Sequence, residues 1–189
     1  MTNVKTDRVR TIDGPAGRLE VLLDEPESTA RAITIFAHPH PQLGGTMHNK
    51  VVYQSAKTFA QIGCATLRFN FRGVGKSDGS YDEGRGEMQD FRAAVDWATT
   101  QYPGTSVWAA GFSFGAWVAL SAGTSDDRVA LLMGIAPSYW FVFRLDRAHW
   151  PRRGYNNLEV TLVRRVSGVT PQAYVRDVEL EIKYLMGKN

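Results

Sequence analysis

The chain has 189 residues, 43% of them hydrophobic and 22% charged, a composition that fits one globular domain and excludes a fibrous repeat or a disordered chain. Its single cysteine, Cys64, excludes an internal disulfide and sits in an apolar run where a buried, inert thiol is expected. No stretch approaches the ~20 apolar residues that span a bilayer, and Met1 to Asp7 lacks the apolar core of a secretory signal, so a soluble cytoplasmic protein is expected.

The net charge of +3 is unevenly placed. Residues 1–140 carry 13 Lys/Arg against 14 Asp/Glu, and residues 141–189 carry 9 against 5. A basic tail can bind nucleic acid, but this one holds no nucleic-acid motif and no such partner is expected.

In chain order, Val9 to Ile12, Leu19 to Leu23 and Ala32 to Phe36 read as strands, separated by Gly14-Pro15-Ala16-Gly17 and by Asp24 to Ser28, both turn chemistry. This predicts a hairpin leading into a buried strand. The loop His38-Pro39-His40-Pro41-Gln42-Leu43-Gly44-Gly45 follows. Val52, Ala56, Phe59 and Ala60 then recur at helical spacing, with Gly63 placed to end the helix. Cys64 to Phe71 predicts a buried parallel strand.

A second helix is predicted from Met88, Phe91, Val95 and Ala98, closed by Pro103-Gly104. Val107 to Ala110 gives a strand, Gly111-Phe112-Ser113-Phe114-Gly115 a sharp turn, Ala116 to Ala122 an amphipathic helix and Val129 to Ile135 another strand. Strands alternating with helices predict an α/β fold: a doubly wound, mostly parallel sheet in a three-layer sandwich. Beyond Pro137 the periodicity degrades. Leu158 to Val163 reads as a strand, and Tyr174, Val178, Ile182 and Leu185 have helical spacing.

Gly-x-Ser-x-Gly is a short pattern whose context decides its meaning. Here an apolar strand precedes Ser113 and a helix follows it. Glycines at Gly111 and Gly115 relieve crowding at such a turn, and the hydroxyl then projects above the carboxyl end of the sheet. The helix presents its positive end to a developing oxyanion. A glycine-rich structural turn with a capping serine is the bland alternative.

Three stretches together resemble the α/β-hydrolase superfamily, in particular its small bacterial members without a cap domain. They are His38-Pro39-His40-Pro41 with Gly44-Gly45-Thr46-Met47, then Phe69-Asn70-Phe71-Arg72-Gly73-Val74-Gly75-Lys76-Ser77, then the elbow at Ser113. Asp82 to Glu87 leading to Ala94-Val95-Asp96-Trp97 is similar to the same subgroup. The resemblance implies a serine hydrolase acting on carboxylic esters or thioesters by an acyl-enzyme route, with Ser113 as nucleophile and no cofactor. It implies one oxyanion donor from the Phe114 amide and the other from the loop near His40 to Leu43, at Gln42 or Leu43.

His38 and His40 admit three roles. As metal ligands they lack a third partner nearby, and as the base they precede the serine, against the superfamily order. A loop-shaping role, shared with Gly44 and Gly45, is expected, and no metal site.

A serine needs an adjacent base, and the base an orienting carboxylate. Downstream of Ser113 the one histidine is His149, with Asp146 three residues before it, closer than the superfamily places acid and base. These two are the candidate acid and base. The competing expectation divides the single domain, residues 1–189, into a family-like core over about 30–137 and an atypical basic segment over 138–189 that is truncated or frame-changed. The protein would then be catalytically impaired. Missing late strands would leave an unpaired sheet edge and favour self-association.

Overall fold

A computed structural model describes residues 5–6 and 10–136, all within one compact unit, Met1–Pro151. Asp146, His149, the strand-like 158–163 and the helix-like 174–185 lie outside the described residues.

The elements follow as β1 (Lys5–Thr6), β2 (Arg10–Gly14), β3 (Gly17–Glu25), β4 (Ala32–Ala37), α1 (Lys50–Gln61), β5 (Cys64–Phe69), α2 (Arg85–Gln101), β6 (Ser106–Phe112), α3 (Phe114–Gly123) and β7 (Val129–Ile135). They form one sheet in the order β1-β3-β5-β4-β6-β7, with β2 paired to β3 as a hairpin. β5, β4, β6 and β7 run parallel, and β3 joins β5 antiparallel. This is the expected α/β sheet, parallel through β5-β4-β6-β7 and antiparallel where β1, β2 and β3 join it.

Every residue of β4 and β5 is buried, as central strands covered on both faces require. Their side chains alternate. Ile33, Ile35, Ala65, Leu67 and Phe69 join the core shared with Phe91 and Val95 of α2 and Val118 and Ala119 of α3. Ala32, Phe36 and Cys64 join a second core with Val52 and Phe59 of α1. The period of 2 thus feeds two helical layers, one on each face, and gives the sandwich.

Local chemistry sets the helix ends. Asn49 caps α1 by accepting from the Val51 amide at 2.9 Å, and Gly63, at φ 81°, takes the left-handed turn after it. The helix after the elbow departs from the expected amphipathic pattern. α3 buries Phe114, Gly115, Ala116, Val118, Ala119, Ala122 and Gly123, because it is packed between α2 and the sheet and has little solvent face.

The order of the sheet also locates the site. From β4 the chain steps outward to β5, then returns past β4 to β6. At such a reversal the connections leave toward opposite faces, opening a crevice at the carboxyl ends of the two strands.

Candidate active site

β4 and β6 are neighbours in parallel register, with Ala37 opposite Gly111. The loops that follow them, one beginning at His38 and one at Phe112-Ser113, therefore leave the sheet at the same level.

Ser113 lies between the last residue of β6 and the first of α3, at φ 57° and ψ −119°. A non-glycine residue at positive φ costs roughly 1–3 kcal/mol, which the surroundings must hold. Its amide donates to the Ile135 carbonyl at 3.0 Å, and its carbonyl accepts from Ala116 and Trp117 at 3.0 and 3.3 Å. The flanking glycines permit close approach. A β-carbon on Gly111 would collide with the Gly115 carbonyl, and one on Gly115 with the carbonyls of Ala37 and His38. The first turn of α3 is thereby pressed against the end of β4. The Phe114 amide, first in the helix, has no intrahelical acceptor and points out at the positive end of α3.

The loop after β4 closes on itself. The amides of Leu43 and Gly45 both donate to the His40 carbonyl, at 3.1 and 3.0 Å. The Gln42 amide donates to His40 Nδ1 at 3.2 Å. Gln42 and Leu43, the expected second oxyanion donors, thus have acceptors inside the loop, and the Leu43 side chain is 85% exposed. The His40 amide has no acceptor among the described residues. Gly44 turns the loop at φ 78°, and Gly45 packs where a β-carbon would meet the Pro39 carbonyl.

His38 is fully buried. Its Nδ1–H donates to the Pro39 carbonyl at 2.6 Å, and its Nε2 accepts from the Phe71 amide at 3.1 Å. Burial pushes its pKa down to about 4 against the pull of the Pro39 bond, so the ring is neutral and both nitrogens are occupied. It fastens the loop after β4 to the loop after β5.

That second loop is held by buried polar groups. Asn70 accepts from the Met47 amide at 2.8 Å and donates to Glu20 at 2.8 Å. Ser77 donates to the Asn70 carbonyl at 2.7 Å. Arg68 pairs with Asp24 at 2.6 Å and donates to the Met47 carbonyl. Arg72 pairs with fully buried Asp90 at 2.8 Å, and this side-chain bond raises the arginine's pKa.

Sequence reasoning missed Tyr81, which precedes the Asp82 to Glu87 stretch. Its hydroxyl lies 3.2 Å from His40 Nε2. The rings of His40, Tyr81, Phe71 and Trp117 surround Phe114 at 4.9, 6.1, 5.7 and 5.8 Å between centroids. An isolated tyrosine in a loop gives no periodic signal, so only the neighbouring motif marked the place. Among the described residues no group of three His, Cys, Asp or Glu is placed to hold a metal, and no helix is long and apolar enough to cross a membrane.

Residues 28–184 match the family described as serine aminopeptidase, S33. A 135-residue stretch, 71% of the chain, is 38% identical to an uncharacterized protein of Rickettsia prowazekii and covers 57% of it. Among solved structures, an alpha-beta serine hydrolase homologue from Coxiella burnetii is 43% identical with a TM-score of 0.67, covering 72% of this chain and 65% of its own. A serine hydrolase without lid from Xanthomonas campestris is 44% identical with a TM-score of 0.66, covering 69% of this chain and 61% of its own. The chain therefore spans about three fifths of the length of these relatives. The family match runs well past the described residues, over most of residues 138–189. The chain belongs to the serine aminopeptidase S33 family of α/β-hydrolases.

Proposed function

We propose that the protein is a serine hydrolase acting on carboxylic esters or thioesters through an acyl-enzyme. The carrying observation is the backbone of Ser113, held at φ 57° between β6 and α3 beside the first amide of that helix, which has no acceptor among the described residues. In this reading Ser113 Oγ attacks the substrate carbonyl as its proton passes to a base. The oxyanion accepts from the Phe114 amide and from the loop after β4, where the His40 amide has no acceptor among the described residues. Each such donor is worth roughly 2.7–4 kcal/mol to the transition state. Collapse expels the alcohol or thiol, and water then releases the acid. Esters and thioesters are the class such a site turns over with least help, because their leaving groups depart more readily than an amine. His149, oriented by Asp146, is the proposed base.

One observation favours a second reading, a hydrolase-like protein without turnover. The ring nitrogens of His38 and His40, the histidines nearest the elbow in the loop after β4, are already engaged within the protein. Fluorophosphonate labelling of the 189-residue protein separates the two. Labelling that disappears in Ser113→Ala and in His149→Ala supports the enzyme, and a folded protein that takes no label supports the second reading.

A further inference from the structure

The orientation of Tyr81 follows from the tautomer of His40. A backbone N–H can only donate, so the Gln42 amide at 3.2 Å from Nδ1 makes that nitrogen an acceptor with no proton of its own. A neutral His40 therefore carries its proton on Nε2. That N–H faces the Tyr81 oxygen at 3.2 Å and donates to it. A hydroxyl that accepts through its oxygen still has its hydrogen to give, and that hydrogen has no acceptor among the described residues.

The hydroxyl is fixed in place. The Tyr81 ring lies against His40 at 5.1 Å and Phe114 at 6.1 Å between centroids. The backbone amides of both have no acceptor among the described residues. The chain just after it is clamped by Glu87, a fully buried carboxylate that accepts from the Asp82 amide at 3.0 Å and the Gly84 amide at 2.7 Å. Burial, with Glu87 and Glu83 nearby, raises the Tyr81 pKa and keeps the phenol protonated.

We propose that Tyr81 is a substrate-contacting residue: its hydroxyl, aimed by His40 Nε2–H, donates a hydrogen bond to the acyl oxygen of the substrate alongside the Phe114 and His40 amides. This rests on the serine-hydrolase reading of the same site. The competing role for Tyr81 is packing alone, and Tyr81→Phe distinguishes them because it keeps the ring and removes the donor.

The test is a titration of the full 189-residue protein with butyrate, which presents the same oxygen without needing turnover, followed by 15N NMR. Wild type is expected to shift the Phe114 and His40 amides on binding, with Tyr81→Phe binding about tenfold more weakly. The His40 ring nitrogens should report the neutral tautomer protonated at Nε2. Equal affinity in the two proteins, no shift of these amides in wild type, or a proton on Nδ1 would each overturn the proposal. Fluorophosphonate labelling of Ser113 is read separately, so loss of the nucleophile reading and loss of the Tyr81 contact give different results.

Discussion

Gly111 and Gly115 meet across the elbow, so that a β-carbon on the first would strike the carbonyl of the second, while one on Gly115 would strike the end of β4. The atoms in the way are backbone, which has little room to yield. Overpacking costs typically 1–3 kcal/mol and more where nothing relaxes. Gly115→Ala is expected to lose about 3 kcal/mol or more in chemical denaturation. Any surviving fold should have α3 displaced from β4 and Ser113 unreactive to fluorophosphonate. A Gly115→Ala protein of wild-type stability would show that the contact is looser than described.

His38 links stability to pH. Its pKa falls from 6.5 to about 4 on folding, so between these values the unfolded chain binds a proton that the folded chain refuses. Stability is complete above 6.5, declines as pH falls toward 4, and changes no further from this group below that. The full effect is about 3 kcal/mol. Urea denaturation at several pH values is expected to show the slope in wild type and a shallower one in His38→Gln, whose amide oxygen can still accept from Phe71. Parallel slopes would remove His38 as the cause.

Asp90 accepts from the Arg72 backbone amide and from its guanidinium at four distances between 2.8 and 3.2 Å. Breaking such a buried pair from one side costs about 3–5 kcal/mol, because the partner charge stays buried. Asp90→Ala is expected to lose that much. Arg72→Met combined with Asp90→Leu should lose clearly less than the two single changes together, a coupling that a double-mutant cycle measures. Simple additivity would mean that the guanidinium finds solvent when its partner goes.

Thr34 and Thr66 are opposite each other in the β4–β5 ladder, and both hydroxyls are buried without a hydrogen-bond partner. Such groups cost roughly 1–3 kcal/mol each relative to a satisfied or apolar side chain. Thr34→Val with Thr66→Val is therefore expected to raise the unfolding free energy by about 1–2 kcal/mol. A loss instead would reveal a buried water bound between the two hydroxyls.

Periodicity carried the described fold because each layer leaves its own spacing in the sequence. The apolar runs 32–36 and 64–71 hold the fully buried central strands Ala32–Ala37 and Cys64–Phe69, the second ending two residues short, and Val129 to Ile135 is β7 residue for residue. The first strands extend beyond their apolar parts, β2 to Gly14 and β3 over Gly17–Glu25, since ladder bonds form whatever the side chain. α2 begins at Arg85, before the apolar face starts at Met88, because buried Glu87 closes its first turn. Pairing was not legible: β3 joins β5 rather than its successor β4, a choice made by tertiary packing. At the site, the elbow glycines were readable from sterics alone. The division of the loop amides between Gln42, Leu43 and His40 was not, because it depends on which carbonyl each N–H happens to reach.

The pairing of Ala37 with Gly111 means that the two strands carrying the site are aligned by main-chain hydrogen bonds. Substitutions elsewhere in the sheet can erode stability without shifting one half against the other. Single groups in the loops can then be exchanged on a backbone frame that stays in register.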